Sequence, residues 1–202
     1  MKTRIVTLIT LLTIILSVTM ASAATKNVDG NQAAVLVATN NINKIEASGN
    51  VEVYITNGDK DQVKVFDKYY AKNALVQDKD GVLRISSYTA DKLVVLVTVA
   101  DLHAITANDN ATVKSYGTLA AIDLKVTLNN NAAAQLKLDA FAADITVNNR
   151  ATANLSGNIN DYSLKYSQSS TVNKSQLVAA NSNEVNTTKT AVRKAEEKMA
   201  SL

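Results

Sequence analysis

The feature that most constrains the fold is a repeat of about 20 residues between Leu102 and Val192. In each repeat an alternating apolar segment precedes a short polar knot, and an alanine-led segment follows the knot. The knots are Asn108-Asp109-Asn110, Asn129-Asn130-Asn131, Asn148-Asn149-Arg150 and Ser167-Gln168-Ser169-Ser170. Repeats of this length are single supersecondary units that bury their apolar face only by stacking on their neighbours. The pattern therefore predicts a repeat protein extended along one axis.

The residues on either side of the knots predict how the repeats align. The apolar residues before the knots are spaced by 21, 21 and 19 residues: Ile105, Val126, Val147 and Tyr166. The small residues after the knots are spaced by 21, 19 and 20 residues: Ala111, Ala132, Ala151 and Thr171. We expect the members of each series to lie above one another in the stack.

The apolar residues within a repeat have a period of two, which is typical of a strand with one buried face. Leu124, Val126 and Leu128 alternate with polar residues, and so do Leu136 and Leu138. The knots suit corners, because Asn tolerates left-handed backbone angles and stacked Asn side chains form hydrogen-bonded ladders. The sequence thus predicts an all-β fold, a right-handed parallel β-helix-like solenoid with a narrow core. An antiparallel meander has the same alternation and is the alternative.

The two ends of the chain differ from the repeats. Residues 1–23 have a basic start, an apolar run and a small-x-small site at Ala21-Ser22-Ala23, which predicts a cleaved signal peptide. The apolar run is short for a membrane span. Residues 24–42 are predicted to be a leader or capping segment, residues 43–189 the β-solenoid domain, and residues 190–202 a short amphipathic helix. That helix, or a last rung, would cover the end of the solenoid.

The charge and composition of the chain exclude several classes of protein. The chain has 21 Lys and Arg against 18 Asp and Glu, and the predicted signal contains two of the basic residues. The mature chain is therefore 21 − 2 = 19 against 18, a net charge of +1, so we expect no nucleic-acid partner. No later segment is apolar enough to span a membrane as a helix. The chain has neither Cys nor Pro, so burial and backbone ladders must stabilise it.

The N-terminal half carries hairpin signals and a family resemblance. Asn57-Gly58 predicts a tight turn and Asp78–Gly81 a hairpin. The segment Lys44 to Ile55, together with Asn57-Gly58-Asp59, the segment Asp80 to Ile85 and the polar-knot repeats, resembles the putative autotransporter adhesin, head GIN domain family. Ser-Gly knots, usual in that family, remain only at positions 48–49 and 156–157. The resemblance implies an exported β-solenoid at the cell envelope, and it implies no defined ligand or binding residue.

The sequence offers little catalytic chemistry. His103 is the single histidine and there is no cysteine, so we predict no catalytic, cofactor-binding or metal-binding residue. Asp78-x-Asp80-Gly81 lacks the later Gly and Glu of a calcium loop and is interpreted as a turn. Tyr69-Tyr70 is an aromatic pair that would stack on a sugar if exposed, or otherwise pack over the sheet.

Two functions are compatible with these observations. The first is a non-catalytic envelope or secreted interaction module that binds a surface glycan or protein, or a second copy of itself. The alternative is a carbohydrate-active β-helix protein, a polysaccharide binder or lyase. We also hypothesise a polar binding strip formed by the residues after the inward apolar positions: Thr106, Thr127, Asn148, Ser167 and Asn186.

Overall fold

The computed structural model describes residues 34–37, 39, 41–66 and 74–187, and these residues form an all-β fold. Their thirteen strands belong to one hydrogen-bonded sheet. The strands are β1 (Ala34–Val37), β2 (Lys44–Gly49), β3 (Val51–Asn57), β4 (Gln62–Phe66), β5 (Ala74–Lys79), β6 (Val82–Ser87), β7 (Leu93–Val99), β8 (Ala104–Asn108), β9 (Thr112–Ser115), β10 (Leu119–Leu128), β11 (Ala133–Val147), β12 (Thr152–Tyr166) and β13 (Thr171–Asn186). The predicted signal peptide, most of the predicted leader and the predicted C-terminal helix lie outside the described residues.

The C-terminal half is a parallel stack, as the repeat predicts. β10, β11, β12 and β13 pair in chain order and in parallel. β8 extends this stack beside β10, and β9 extends it beside β11. Like residues lie over like: Val113, Ala134 and Ala153 are neighbours on three strands and are at most 2% exposed. The antiparallel meander is therefore wrong for residues 104–186.

The predicted apolar series is confirmed for the pairs Ile105–Val126 and Val147–Tyr166, but the register between β10 and β11 differs from the predicted one by two residues. Val126 pairs with Ile145, whereas Val147 pairs with Leu128. The first residues of the four knots are spaced by 21, 19 and 19 residues, and this spacing matches the observed register. The knots form the same corner in each rung. The repeats of 19 residues are therefore two residues shorter than the first at some point outside the knots. Val126 lies three residues before its knot and Val147 lies one residue before its knot, so the two were not equivalent markers for alignment.

The N-terminal half does not stack in chain order. β2 lies between β6 and β8, and β3 lies between β7 and β9, with all four pairs parallel. The chain leaves the stack after β3, forms β4 and β5, and returns as β6 and β7 on the far side of β2 and β3. β4 pairs antiparallel with β7, and β5 pairs antiparallel with β6. Parallel stacking that advances in chain order is thus found from β8 onwards, and the N-terminal half contains antiparallel pairs, as its hairpin signals predict.

The two turn predictions in this half have different outcomes. Asp80 and Gly81 have φ of 53° and 77°, the two left-handed residues of a tight hairpin turn, and they join the antiparallel strands β5 and β6. The hairpin prediction is confirmed there. Asn57-Gly58 ends β3, but β4 pairs with β7 and β1 rather than with β3. The chain turns at this point without forming a hairpin.

One apolar core runs between the strands. Ile45, Val53, Ile55, Leu136 and Leu138 are fully buried, and the residues between them along the strands face outward. Each such side chain stabilises the fold by roughly 1.5–3 kcal/mol. The core is narrow at the corner after each knot, where alanine fills the inward positions: Ala111, Ala132, Ala134, Ala151 and Ala153.

Polar residues close the core at its C-terminal end. Leu164 and Tyr162 are buried, and the inward positions beside them on β13 are occupied by Glu184 and Ser182. Lys174, on the other part of β13, forms an ion pair with Glu184. Burial first, and the charge of Glu184 second, raise the pKa of the Tyr162 hydroxyl. Inward-facing charges are one means by which sheet edges are blunted, and β13 is the last strand within the described residues.

Candidate functional site

The knots form one corner of the stack through a repeated left-handed residue. φ is 60° at Asp109, 62° at Asn130 and 55° at Asn149. Gly49 follows Ser48, which pairs with Asn108, and has φ of 81° at the equivalent place one rung away. Short polar side chains and glycine accept this conformation at the lowest cost. The prediction that the knots are corners is confirmed.

Hydrogen-bonded ladders run along this corner. Asn148 Nδ2 donates to Asn129 Oδ1 at 2.8 Å, and Asn129 Nδ2 donates to Asn108 Oδ1 at 2.8 Å. Asn108 Nδ2 donates in turn to Ser48 Oγ at 3.2 Å. Two further ladders lie beside this one: Asp109, Asn130 and Asn149, and Asn110, Asn131 and Arg150. The amides of the knots bind one another, so the knots are structural, as predicted.

The predicted polar strip is not a line on the protein. Thr106 and Thr127 are neighbours, but the next residue in their row is Thr146. Asn148 lies in the Asn ladder, and Ser167 Oγ donates to the backbone carbonyl of Asn149 at 2.7 Å. The strip hypothesis is therefore wrong, because its members are divided among three rows: Asn186 pairs with Tyr166, outside the rows of Thr106 and Asn148.

The long strands β10 to β13 turn another corner, and here the pattern of burial changes phase. In β10 Ile122 and Asp123 are consecutive and both exposed, and in β12 Asn160 and Asp161 are both exposed. Phe141 in β11 is exposed and is followed by the half-buried Ala142. Two consecutive outward residues re-aim a strand as a bulge does. Alanine is frequent at this bend, so we call it the alanine corner (residues 120–123, 139–142, 158–161 and 178–181).

An open groove of about 910 Å³ lies along the alanine corner. Its middle row, Ala121, Ala140, Ile159 and Ala179, faces the core and is buried or half-buried. The outward rows on either side are Ala120, Asp139, Asn158 and Val178, and Ile122, Phe141, Asn160 and Ala180. The exposed fractions are 75% for Ile122, 61% for Phe141 and 66% for Val178. Ile122 and Phe141 lie on neighbouring strands, so the groove has a patch of exposed apolar side chains.

The polar side chains of the groove are acids and amides. Asp101, Asp139, Asn158 and Asn160 line it, and none of its described lining residues is Lys, Arg or His. Asn57 also lines it but is engaged: its Nδ2 donates to the Ala120 carbonyl, and its Oδ1 accepts from the Ala120 amide at 2.8 Å. Asn57 thus holds the start of β10 at the groove. The groove is apolar with an acidic border.

A second polar cluster lies on β3 and β9 and is self-satisfied. Lys114 Nζ donates to Glu52 Oε1 at 2.6 Å, Tyr54 OH donates to Glu52 at 2.7 Å, and Lys92 Nζ lies 3.4 Å from Glu52 Oε2. The hydrogen bond from Lys114, then that from Tyr54, lowers the pKa of Glu52 to about 2. The same contact with Glu52 raises the pKa of Lys114. These groups stabilise the outer face and leave few donors for a ligand.

The residues singled out in the sequence do not form a reactive site. His103 Nε2 lies 3.1 Å from Asp101 Oδ2, and both side chains are exposed. Asp78, Asp80 and Gly81 belong to the β5–β6 hairpin, and Tyr69-Tyr70 lies outside the described residues. Within the described ranges no group of three metal-binding side chains occurs, and no helix is long and apolar enough to cross a membrane.

Sequence reasoning did not identify the alanine corner. One signal was available: after Leu136 and Leu138, the alternation places Phe141 on the outward face, although Phe is rarely exposed. The adjacent alanines, at positions 140, 142 and 143, mark the bend. The outward apolar residues of three strands meet in one groove because of the register. The apolar spacing predicted that register wrongly between β10 and β11.

The fold and the groove together define a class: an all-β protein of stacked strands with an open, partly apolar groove along the stack. The chain belongs to the family described as putative auto-transporter adhesin, head GIN domain, whose sequence profile matches residues 41–193. This membership confirms the resemblance carried by residues 44–55 and the knots. No curated protein matches the chain.

The chain is similar to several solved structures. A crystal structure of a putative adhesin from Parabacteroides merdae is 18% identical, with a TM-score of 0.58, and the match covers 77% of this chain and 78% of that one. A putative adhesin from Bacteroides fragilis is 14% identical, with a TM-score of 0.45 and coverage of 76% and 97%. A putative lipid binding protein from Parabacteroides distasonis is 11% identical, with a TM-score of 0.45 and coverage of 78% and 98%. The likeness to the Parabacteroides merdae structure, at 18% identity and a TM-score of 0.58, shows the fold alone.

Proposed function

We propose that this chain is a non-catalytic, exported interaction module of the cell envelope, of the adhesin type, and that the groove of the alanine corner is its contact surface. One observation carries the proposal. Ile122, Phe141 and Val178 are exposed on β10, β11 and β13, although the rest of the apolar side chains on these strands are mostly buried or half-buried. Their exposure to water does not stabilise the folded chain. A bound partner would bury these apolar side chains, and that burial would favour binding.

The proposal includes the finer architecture and location. The parallel ladders from β8 to β13 support a right-handed parallel β-helix, because parallel crossovers are right-handed in nearly all proteins. A helix over residues 190–202 would cover the last rung. Residues 1–23 would direct export to the periplasm, the cell surface or the medium. The adhesin-type family supports an exported protein.

The carbohydrate-active alternative has less support. A lyase that acts on acidic polysaccharides needs cationic groups to bind the acid and a base to take a proton. No Lys, Arg or His lines the described part of the groove. The absence of basic residues there favours binding over elimination chemistry.

Attachment of protein-coated beads tests the proposal. We expect beads that carry the mature chain to attach to cultured epithelial cells or to intact bacterial cells more than albumin-coated beads do. Phe141→Ser should reduce attachment several-fold with an unchanged melting temperature, because Phe141 is 61% exposed and contributes little to the core.

The matched control is Tyr88→Ser. Tyr88 is an aromatic residue that is 75% exposed, and its hydroxyl lies 3.2 Å from Asp109 at the knot corner, away from the groove. Attachment by Tyr88→Ser should equal that of the wild type. Equal losses in the two variants, or no attachment by the wild type to either kind of cell, contradict the proposal.

A further inference from the structure

We propose that the groove binds a glycan that carries no acidic groups, with the sugar chain lying along the stack. This inference rests on the proposed function and names its ligand. The residues that carry it are Ile122, Phe141, Asp139, Asn158 and Asn160, which line one continuous surface.

The backbone groups between the four strands of the groove are already hydrogen-bonded to one another. Residues 119–121 of β10 pair with residues 138–140 of β11, which pair with residues 157–159 of β12. Residues 157–159 pair in turn with residues 177–179 of β13. An extended peptide binds a sheet by adding a strand to a free edge, and these four segments of the groove are already joined to one another across it. Recognition in the groove therefore depends on side chains.

The side chains form an apolar row beside a polar row. Ile122 and Phe141 are adjacent, because the pairs Ala121–Ala140 and Asp123–Ala142 flank them. Neighbouring strands are about 4.8 Å apart, so the two side chains form a continuous apolar strip. Asp139 and Asn158 are adjacent in the parallel row. Their short side chains lose little rotamer entropy on binding, and they accept or donate hydrogen bonds.

A sugar ring matches both rows. Its C–H face is apolar and weakly positive, and it stacks on an aromatic face, which carries negative charge density. Its hydroxyl edge donates to carboxylates and exchanges hydrogen bonds with amides. Phe141 is exposed enough to present its ring, and Asp139 and Asn158 line the groove beside it. A purely apolar ligand would leave these polar groups desolvated and unpaired, at a cost.

The charge of the groove selects against acidic ligands. Asp101 and Asp139 line it, Asp123 and Asp161 lie directly beside its Ile122–Asn160 row, and no cation lines its described part. A uronate, sulfate or phosphate group placed here would face like charges and no partner. The groove therefore favours neutral sugars and amino sugars.

A glycan array with the mature chain tests the inference. The probes are neutral oligomers of glucose, mannose and N-acetylglucosamine, together with polygalacturonate and heparin as acidic glycans. We expect binding to at least one non-acidic glycan and none to the acidic ones. Phe141→Ala should weaken the binding at least about tenfold, as the loss of an aromatic contact implies. Phe141→Tyr should retain it, and Tyr88→Ala should bind like the wild type.

Preference for the acidic glycans, or binding of non-acidic glycans that is insensitive to Phe141→Ala, overturns the inference. The attachment assay separates this failure from failure of the proposed function. Periodate treatment of the target cells, which destroys sugar rings, should abolish attachment that depends on Phe141. If such attachment survives periodate and is lost after protease treatment, the contact surface stands and its partner is a protein.

Discussion

The hydrogen bonds of the Asn ladder allow us to predict how much Asn129→Ala lowers the free energy of unfolding. Asn129→Ala removes two side-chain hydrogen bonds of 2.8 Å, one donated to Asn108 and one accepted from Asn148. Each contributes about 1 kcal/mol net, and the two abandoned partners lie in a half-buried corner where an unpaired polar group costs about 1–3 kcal/mol. Because water reaches part of this corner, we expect a total loss of roughly 2–4 kcal/mol in the free energy of unfolding.

Asn131→Ala is the matched control for Asn129→Ala. Asn131 is exposed at the same knot, and its two hydrogen bonds are exposed as well: it donates to Asn110 at 3.4 Å and accepts from Arg150 at 3.1 Å. Its replacement should cost no more than about 0.5 kcal/mol, as is usual on the surface. A second pair of variants measures the cost of the left-handed backbone. Asn130 has φ of 62°, so Asn130→Ala should cost about 1–2 kcal/mol more than Asn130→Gly.

Urea denaturation followed by circular dichroism measures these differences. The free energies come from linear extrapolation with an unchanged m value. The melting temperature of Asn129→Ala should fall by roughly 4–16 °C, given about 2–4 °C per kcal/mol for a domain of this size. If Asn129→Ala and Asn131→Ala are equally stable, the buried ladder does not stabilise the corner and the reasoning is refuted.

Three further outcomes are expected. Leu136→Asp should unfold the repeat region, because it buries an unpaired carboxylate at a fully buried position, whereas Lys137→Asp, on the exposed face, should be nearly neutral; equal melting temperatures would contradict the observed alternation. The depressed pKa of Glu52, about 2 against an ordinary 4.5, stabilises the fold fully above pH 4.5 and loses its effect as the pH falls to 2, so urea titrations should show a smaller loss for Glu52→Gln over this interval than for the wild type. N-terminal sequencing of the exported protein should begin at Ala24, and a mature chain that begins at Met1 would exclude cleavage by signal peptidase.

The sequence alone was sufficient for the local rules of this fold. The period of two in Leu124–Leu128 predicts strands, and the Asn knots predict left-handed corners with amide ladders; both are confirmed. Asp80-Gly81 predicts its hairpin for the same kind of reason, since φ above zero is a property of few residue types. Such signals are readable because the cause lies within a few residues of the effect.

The order and register of the strands were decided only by the tertiary structure. Nothing near β2 indicates that β6 will lie beside it. β2 pairs with β6 along one edge and with β8 along the other, and its alternating sequence specifies neither partner. The pairing of Val126 with Ile145, and not with Val147, follows from the alignment of the knots in the stack. Which strand pairs with which depends on burial between segments far apart in the chain, and the local pattern does not encode it.

The same distinction applies to the candidate site. The alternation after Leu136 and Leu138 placed Phe141 outward, but the alternation of Leu124, Val126 and Leu128 placed Ile122 inward, and only the change of phase at the bend turns Ile122 outward. Only the stacking placed them on adjacent rungs, beside Asp139 and Asn158, around a floor of alanines. A binding groove of this kind consists of residues from different repeats, and their distances depend on the register and on the bend at the alanine corner. The sequence therefore specified the rungs and corners, and the packing of the rungs determined which side chains meet.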